Sequence, residues 1–187
     1  MPVVATSVTQ LRQRNTFSVG LMIALSSWAL IFVTLTWGYV VFRLRAPSWL
    51  GDYLTAPAQY IAGLNTLTIA LSSWSLSVAL KKNILRPGAW AWGAFGLGLV
   101  FLVGQFCLWQ VIMARGLHWQ SSIAGSFFFL LTGFHALHIL GALIAVFILC
   151  LRIKEWQEAS IGLGIKYFWD FLFVVWLVMF VLIFIIQ

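Results

Sequence analysis

Charged residues divide this chain at nearly regular intervals, and between them it is apolar. No formal charge falls from Asn15 to Phe42, from Tyr53 to Leu80, from Pro87 to Ala114, from Gly116 to Leu151 or from Phe171 to Gln187. Crossing the hydrocarbon core takes about 20 predominantly apolar residues as a helix. Only helices and closed barrels satisfy the backbone there, and runs this long and unalternating do not suit barrel strands. The pattern predicts an all-α, polytopic membrane protein in one membrane domain, 1–187. Its five transmembrane helices fall near 17–42, 56–80, 89–113, 122–151 and 164–186. The hinges agree. Pro57 and Pro87 stand near helix starts, where a missing N–H costs little. The stretch "ARGLHWQSS" offers serines to cap the fourth helix, and "RIKEWQEASIGLG" reads as the last loop.

Composition turns that pattern into a statement about solvent. The chain is 63% hydrophobic and 8% charged, against about a quarter charged in soluble domains. The net charge of +7 comes from basic residues placed singly or in pairs between apolar runs, which excludes a nucleic-acid-binding face. Such residues set orientation instead. Arg12, Arg14, Lys81, Lys82, Arg86, Arg152, Lys154 and Lys166 fall on one side, and Arg43, Arg45 and Arg115 on the other. The positive-inside rule then predicts a cytoplasmic N-terminus and an outside C-terminus. The first apolar run is too long for a signal peptide and is expected to be a retained helix. Cys107 and Cys150 lie in apolar runs without a CxxC spacing and are expected to be small buried hydrophobes.

Polar side chains inside the runs carry whatever chemistry exists. Asn65, Thr68, Ser72, Ser75 and Ala79 line one face of the second helix. Such a small, polar seam suits close helix approach and interhelical hydrogen bonds worth ~0.6–2 kcal/mol each. The pairs Ala89/Gly93, Ala94/Gly98 and Gly141/Ala145 suit tight packing as well. Of the acids, Asp52, Glu155 and Glu158 fall in loops. Asp170, one turn after Lys166, is expected to form a helical i,i+4 ion pair rather than to take up protons. His135 and His138 share roughly one face near the middle of the fourth run. A metal needs more than two imidazoles, and no third strong ligand lies at that depth. The expectation is no catalytic, cofactor-binding or metal site in this chain, with both histidines as neutral polar anchors at a helix or subunit contact.

The segment "GSFFFLLTGFHALHILGALIAVF" resembles a helix of five-helix members of the haem–copper oxidase subunit III family, through Phe128, Phe129, Thr132, Gly133, Phe134, His135, His138 and Gly141. "LNTLTIALSSWSLSVAL" is similar to that family's N-T-x-x-L-x-x-S-S helix through Asn65, Thr66, Ser72 and Ser73. "FLVGQFCLWQ" is similar to its F-x-x-x-Q-x-x-E-[WY] stretch through Phe101, Gln105 and Trp109. "FWDFLFVVWLVMF" resembles its terminal helix through Trp169, Phe171, Val174, Val175, Trp176 and Leu177. There are departures. Trp28 and Leu108 stand where the family has glutamates, Asp170 where it has His, and Phe173 where it has Asp. Longer members carry two further helices before the position of Ser18. The lipid-filled cleft those helices form is expected to be missing here or closed by a neighbour.

The resemblance implies a non-catalytic subunit III of a terminal oxidase complex. Such a complex reduces O2 to water with electrons from cytochrome c or quinol and moves protons. Haems and copper belong to partner subunits I and II. This chain would pack on subunit I, bind phospholipid and stabilise the complex in the bacterial inner membrane, with a supercomplex as a further setting. The absent glutamates argue against a part in proton uptake. Asn65, Ser72, Gln105, His135, His138 and Trp176 are the candidate structural, subunit or lipid contacts. The alternatives are a subunit III-like partner of nitric oxide reductase, a small transporter, or a di-haem cytochrome with His135 and His138 as axial ligands.

Overall fold

The computed structural model describes residues 2–46, 49–51, 53–157 and 159–186, with side chains from Thr16 onward. The expected loop positions of Asp52 and Glu158 lie outside the described residues, as do the side chains of Arg12 and Arg14. Six α-helices follow in order: α1 (Pro2–Arg45), α2 (Ala56–Ala79), α3 (Pro87–Met113), α4 (Ile123–Leu151), the single turn α5 (Ile153–Trp156) and α6 (Ser160–Phe180). A π-helical segment, Val181–Ile185, continues α6. No strand occurs among the described residues. Five spans are long and apolar enough to cross a membrane: Thr16–Arg45, α2, α3, α4 and Ser160–Ile185.

Local chemistry explains most of the boundaries. Prolines occupy the first turns of α2 and α3. At the start of α4, Ser122 accepts a hydrogen bond from the Gly125 amide at 3.0 Å, which satisfies one of the four free N–H groups of a helix start. The last span differs from the expected 164–186 by beginning earlier, at Ser160. Its glycines are helical and serve close approach. A Cβ on Gly162 would lie 2.2 Å from the Trp156 carbonyl oxygen, and one on Gly164 would lie 2.7 Å from the Phe17 ring. The expected loop before it also contains the turn α5.

Helices α2, α3, α4 and α6 form the core, and α1 leans against α4 and α6. The α2–α3 pair is antiparallel and close. Ser72 Oγ donates to the Ala94 carbonyl at 2.7 Å, and Ser75 Oγ to the Trp90 carbonyl at 2.8 Å. A Cβ on Gly104 would come within 2.0 Å of Asn65 Oδ1. At Gly98 a Cβ would meet both Leu143 of α4 and Trp169 of α6, so this glycine lets three helices converge. Gly141 is different. Nothing lies within 4 Å of where its Cβ would be, because it faces outward and packs no helix. Cys107 corrects a second expectation: it is exposed on the outer face of α3, while Cys150 is buried.

Candidate functional site

Of the polar side chains predicted to matter, Asn65, Gln105, His135 and Trp176 fall in one layer half-way along the bundle, whereas Ser72 bonds the Ala94 carbonyl farther along α3 and His138 turns toward α1. Asn65 of α2 lies against Gly104 of α3. Next to Asn65, Thr66 accepts a hydrogen bond from Trp176 Nε1 of α6 at 3.0 Å. Trp176 packs edge-on against Phe101 of α3, ring centroids 5.0 Å apart, and stacks on His135 of α4 at 5.8 Å. Trp109 of α3 closes the far side by donating to Thr132 Oγ1 at 3.0 Å. Gln105 stands between Phe101 and Trp109, one turn from each.

The two histidines part company. His135 is 0% exposed and points into the core, with Phe32 and Phe101 ring centroids at 6.1 and 6.0 Å. His138 is half-buried and faces α1. Its neighbours are Phe134 at 4.5 Å, Phe32 at 5.5 Å and Trp28 at 5.6 Å. His138 Nδ1 lies 2.7 Å from the Phe134 carbonyl. A carbonyl can only accept, so Nδ1 carries the proton. Residues three apart on a helix diverge by about 60°, and here that angle separates a core contact from an α1 contact.

Several buried atoms of this layer have no hydrogen-bond partner among the described residues: both nitrogens of His135, both amide atoms of Gln105 and Nδ2 of Asn65. The indole nitrogen of Trp169 is in the same position. An unsatisfied buried polar group costs about 1–3 kcal/mol. Among the described residues, no three His, Cys, Asp or Glu side chains gather as a metal set would require.

A second polar cluster sits toward the start of α6. Lys166 pairs with the Asp170 carboxylate, and Ser73 Oγ of α2 donates to the other carboxylate oxygen at 2.5 Å. The Lys166 ammonium lies 5.6 Å from the Tyr167 ring centroid. The Ser73 bond joins positions 97 residues apart, and no local spacing announces it. Neither does sequence pairing announce the contact of Trp28 with His138, nor Arg43 Nη1 donating to the Leu182 carbonyl at 3.3 Å.

Outside the core, α1 and α6 enclose an apolar cavity of about 310 Å³, walled by Phe32, Val33, Trp37, Phe171, Val174 and Val178. It runs into a second cavity of about 440 Å³, bordered by Ser18, Met22, Tyr167 and Asp170, through the shared Phe171 and Val174. One furrow thus follows the α1–α6 seam toward the polar cluster.

Five apolar spans around buried interhelical polar contacts define a polytopic helical membrane protein. No family model matches the chain. A protein of Mycobacterium tuberculosis named "Probable cytochrome c oxidase subunit 3" is 30% identical over 195 residues, covering 98% of this chain and 95% of its own length. "Cytochrome c oxidase subunit 3" of Corynebacterium diphtheriae is 28% identical over 190 residues, covering 96% and 93%. The protein of that name from Thermostichus vulcanus is 27% identical over 175 residues, covering 89% and 85%. The chain therefore belongs to the cytochrome c oxidase subunit 3 family, as subunit III of a haem–copper oxidase. It is an integral protein of the bacterial plasma membrane.

Proposed function

We propose that this subunit is a non-catalytic scaffold. It packs against subunit I beside subunit II and stabilises a complex that passes electrons from cytochrome c to O2 and moves protons. The haems and copper sit in those partners. One observation carries the reading: polar side chains within the spans tie this chain's own helices to one another. Ser72 and Ser75 bond α3, Ser73 and Thr66 bond α6, and Trp109 bonds α4. The outward faces present Leu64, Leu67 and Trp74 of α2 and Val100, Val103 and Phe106 of α3, an apolar surface for lipid or a partner's helices. The α1–α6 furrow supports phospholipid as a further constituent, an acyl chain along the apolar wall with its headgroup near Lys166 and Tyr167. In this reading the N-terminus is cytoplasmic, the C-terminus is outside, and a supercomplex is the larger setting.

The test is purification of the tagged chain from its own membranes in mild detergent, with an absorption spectrum of the subunit alone. Subunits I and II are expected to accompany it, and the isolated chain to lack a Soret band. Recovery with a nitric oxide reductase, substrate flux through the lone chain in liposomes, or haem in the isolated subunit would each overturn the reading. His138→Ala is expected to loosen this subunit while leaving the haem content of the complex unchanged.

A further inference from the structure

Among the orphan polar atoms of the mid-bundle layer, donors outnumber acceptors. Gln105 is 2% exposed, His135 0% and Asn65 4%, so neither lipid nor a neighbouring subunit reaches them. Their orphan atoms are the Gln105 amide nitrogen and oxygen, the two His135 ring nitrogens and the Asn65 amide nitrogen. A neutral imidazole carries one N–H and one acceptor nitrogen, and each amide nitrogen carries two hydrogens. Donors therefore exceed acceptors even if Gln105 and His135 were to bond directly. The nearby hydroxyls each already donate one hydrogen bond and accept one. Thr66 Oγ1 accepts from Trp176 and donates to the Ala62 carbonyl. Thr132 Oγ1 accepts from Trp109 and donates to the Phe128 carbonyl.

Placement brings the orphans together. Phe101 touches the His135 ring, and Trp109 reaches Thr132, one turn before His135 on α4. Gln105 lies between Phe101 and Trp109 on α3, hence at the level of Thr132–His135. Asn65 reaches the same level from α2, against the adjacent Gly104. We propose that this layer is a buried water site, in which at least one bound water links the Gln105 amide to the His135 imidazole. The ligand must supply lone pairs and be neutral. An anion would bring an uncompensated charge into the apolar core, and a cation would meet the donor-rich side of the site. Water supplies two acceptor positions and two hydrogens, and buried waters satisfy such groups in folded proteins with about three hydrogen bonds each.

The experiment is an electron-density or cryo-EM map of the intact oxidase complex at a resolution that shows ordered water, for the wild type and for Gln105→Leu. A wild-type peak is expected within hydrogen-bond distance of both a Gln105 amide atom and a His135 ring nitrogen, and it should be lost in the variant. A wild-type map without that peak, whether Gln105 and His135 bond directly or stay apart, would overturn the proposal. So would a peak that persists unchanged in Gln105→Leu. Should the variant fail to accumulate, the wild-type map decides alone.

Discussion

Asp170 shows how a single side chain can serve two helices. It holds Lys166 one turn earlier on its own helix and receives the Ser73 hydroxyl from α2. Ser73→Ala removes only the second interaction. Hydrogen bonds between membrane helices average ~0.6 kcal/mol and rarely exceed ~2 kcal/mol. Asp170 is itself 30% exposed. The expected loss is therefore about 1 kcal/mol, read as a lower unfolding midpoint of the subunit in detergent, with Asp170→Ala at least as destabilising because it removes the acceptor of both Ser73 and Lys166. Glycines supply a sharper contrast. Gly104→Ala places a methyl on Asn65 Oδ1, 2.0 Å from the ideal Cβ position, whereas Gly141→Ala meets nothing within 4 Å. Overpacking costs typically 1–3 kcal/mol, so Gly104→Ala is expected to destabilise by about that much and Gly141→Ala to be neutral. Thermal unfolding of the two variants side by side measures the difference. Sequence spacing singled out Gly141 as a packing glycine and passed over Gly104. What separates them is whether a neighbouring helix lies opposite.

At the scale of the element, α1 is set apart. Its most apolar window is 6% buried, against 28–44% for the other spans. Aromatic contacts hold its middle: Trp28 on Phe168 at 4.6 Å and on His138 at 5.6 Å, and Phe32 on Phe134 at 5.3 Å. Gly38 packs under Phe127, and Arg43 ties the far end to the Leu182 carbonyl. Trp28→Ala should therefore free α1 without unfolding the α2–α3–α4–α6 core. Hydrogen exchange of the subunit in nanodiscs checks this, with faster exchange expected within Thr16–Arg45 and unchanged protection in α3. Comparable acceleration in α3 would show that α1 is integral to the core. The contact was half-legible beforehand. Trp28 stood out as a departure from the family pattern, and His138 as a polar residue in an apolar run, but nothing in one dimension joined them.

For the whole molecule, orientation is the property that charge predicts and packing leaves open. The basic residues of the α2–α3 connection, Lys81, Lys82 and Arg86, are expected to face the cytoplasm, and Arg115 the outside. Single cysteines introduced at Asn83 and at Trp119, in a background without Cys107 and Cys150, should react with an impermeant thiol reagent from opposite sides of the membrane. Labelling of Asn83→Cys from outside intact cells would invert the topology.

The sequence by itself determined that five helices cross the membrane, and nearly where four of them begin; the first, expected near residue 17, starts as α1 at Pro2. Transfer into lipid depends on the continuity of an apolar run, which is a one-dimensional property. It also marked the serine seam of α2, because small polar residues at helical spacing suit close approach wherever they occur. Only the tertiary structure decided which face each residue turns toward a neighbour: His135 inward, His138 toward α1, Gly104 under Asn65, Gly141 outward, and Ser73 on Asp170. The reason is that lipid tails and leucine side chains are equally apolar. Hydropathy drives a helix into the bilayer but is indifferent to which of its faces meets another helix. That choice is made by shape and by hydrogen bonds between residues far apart in the chain.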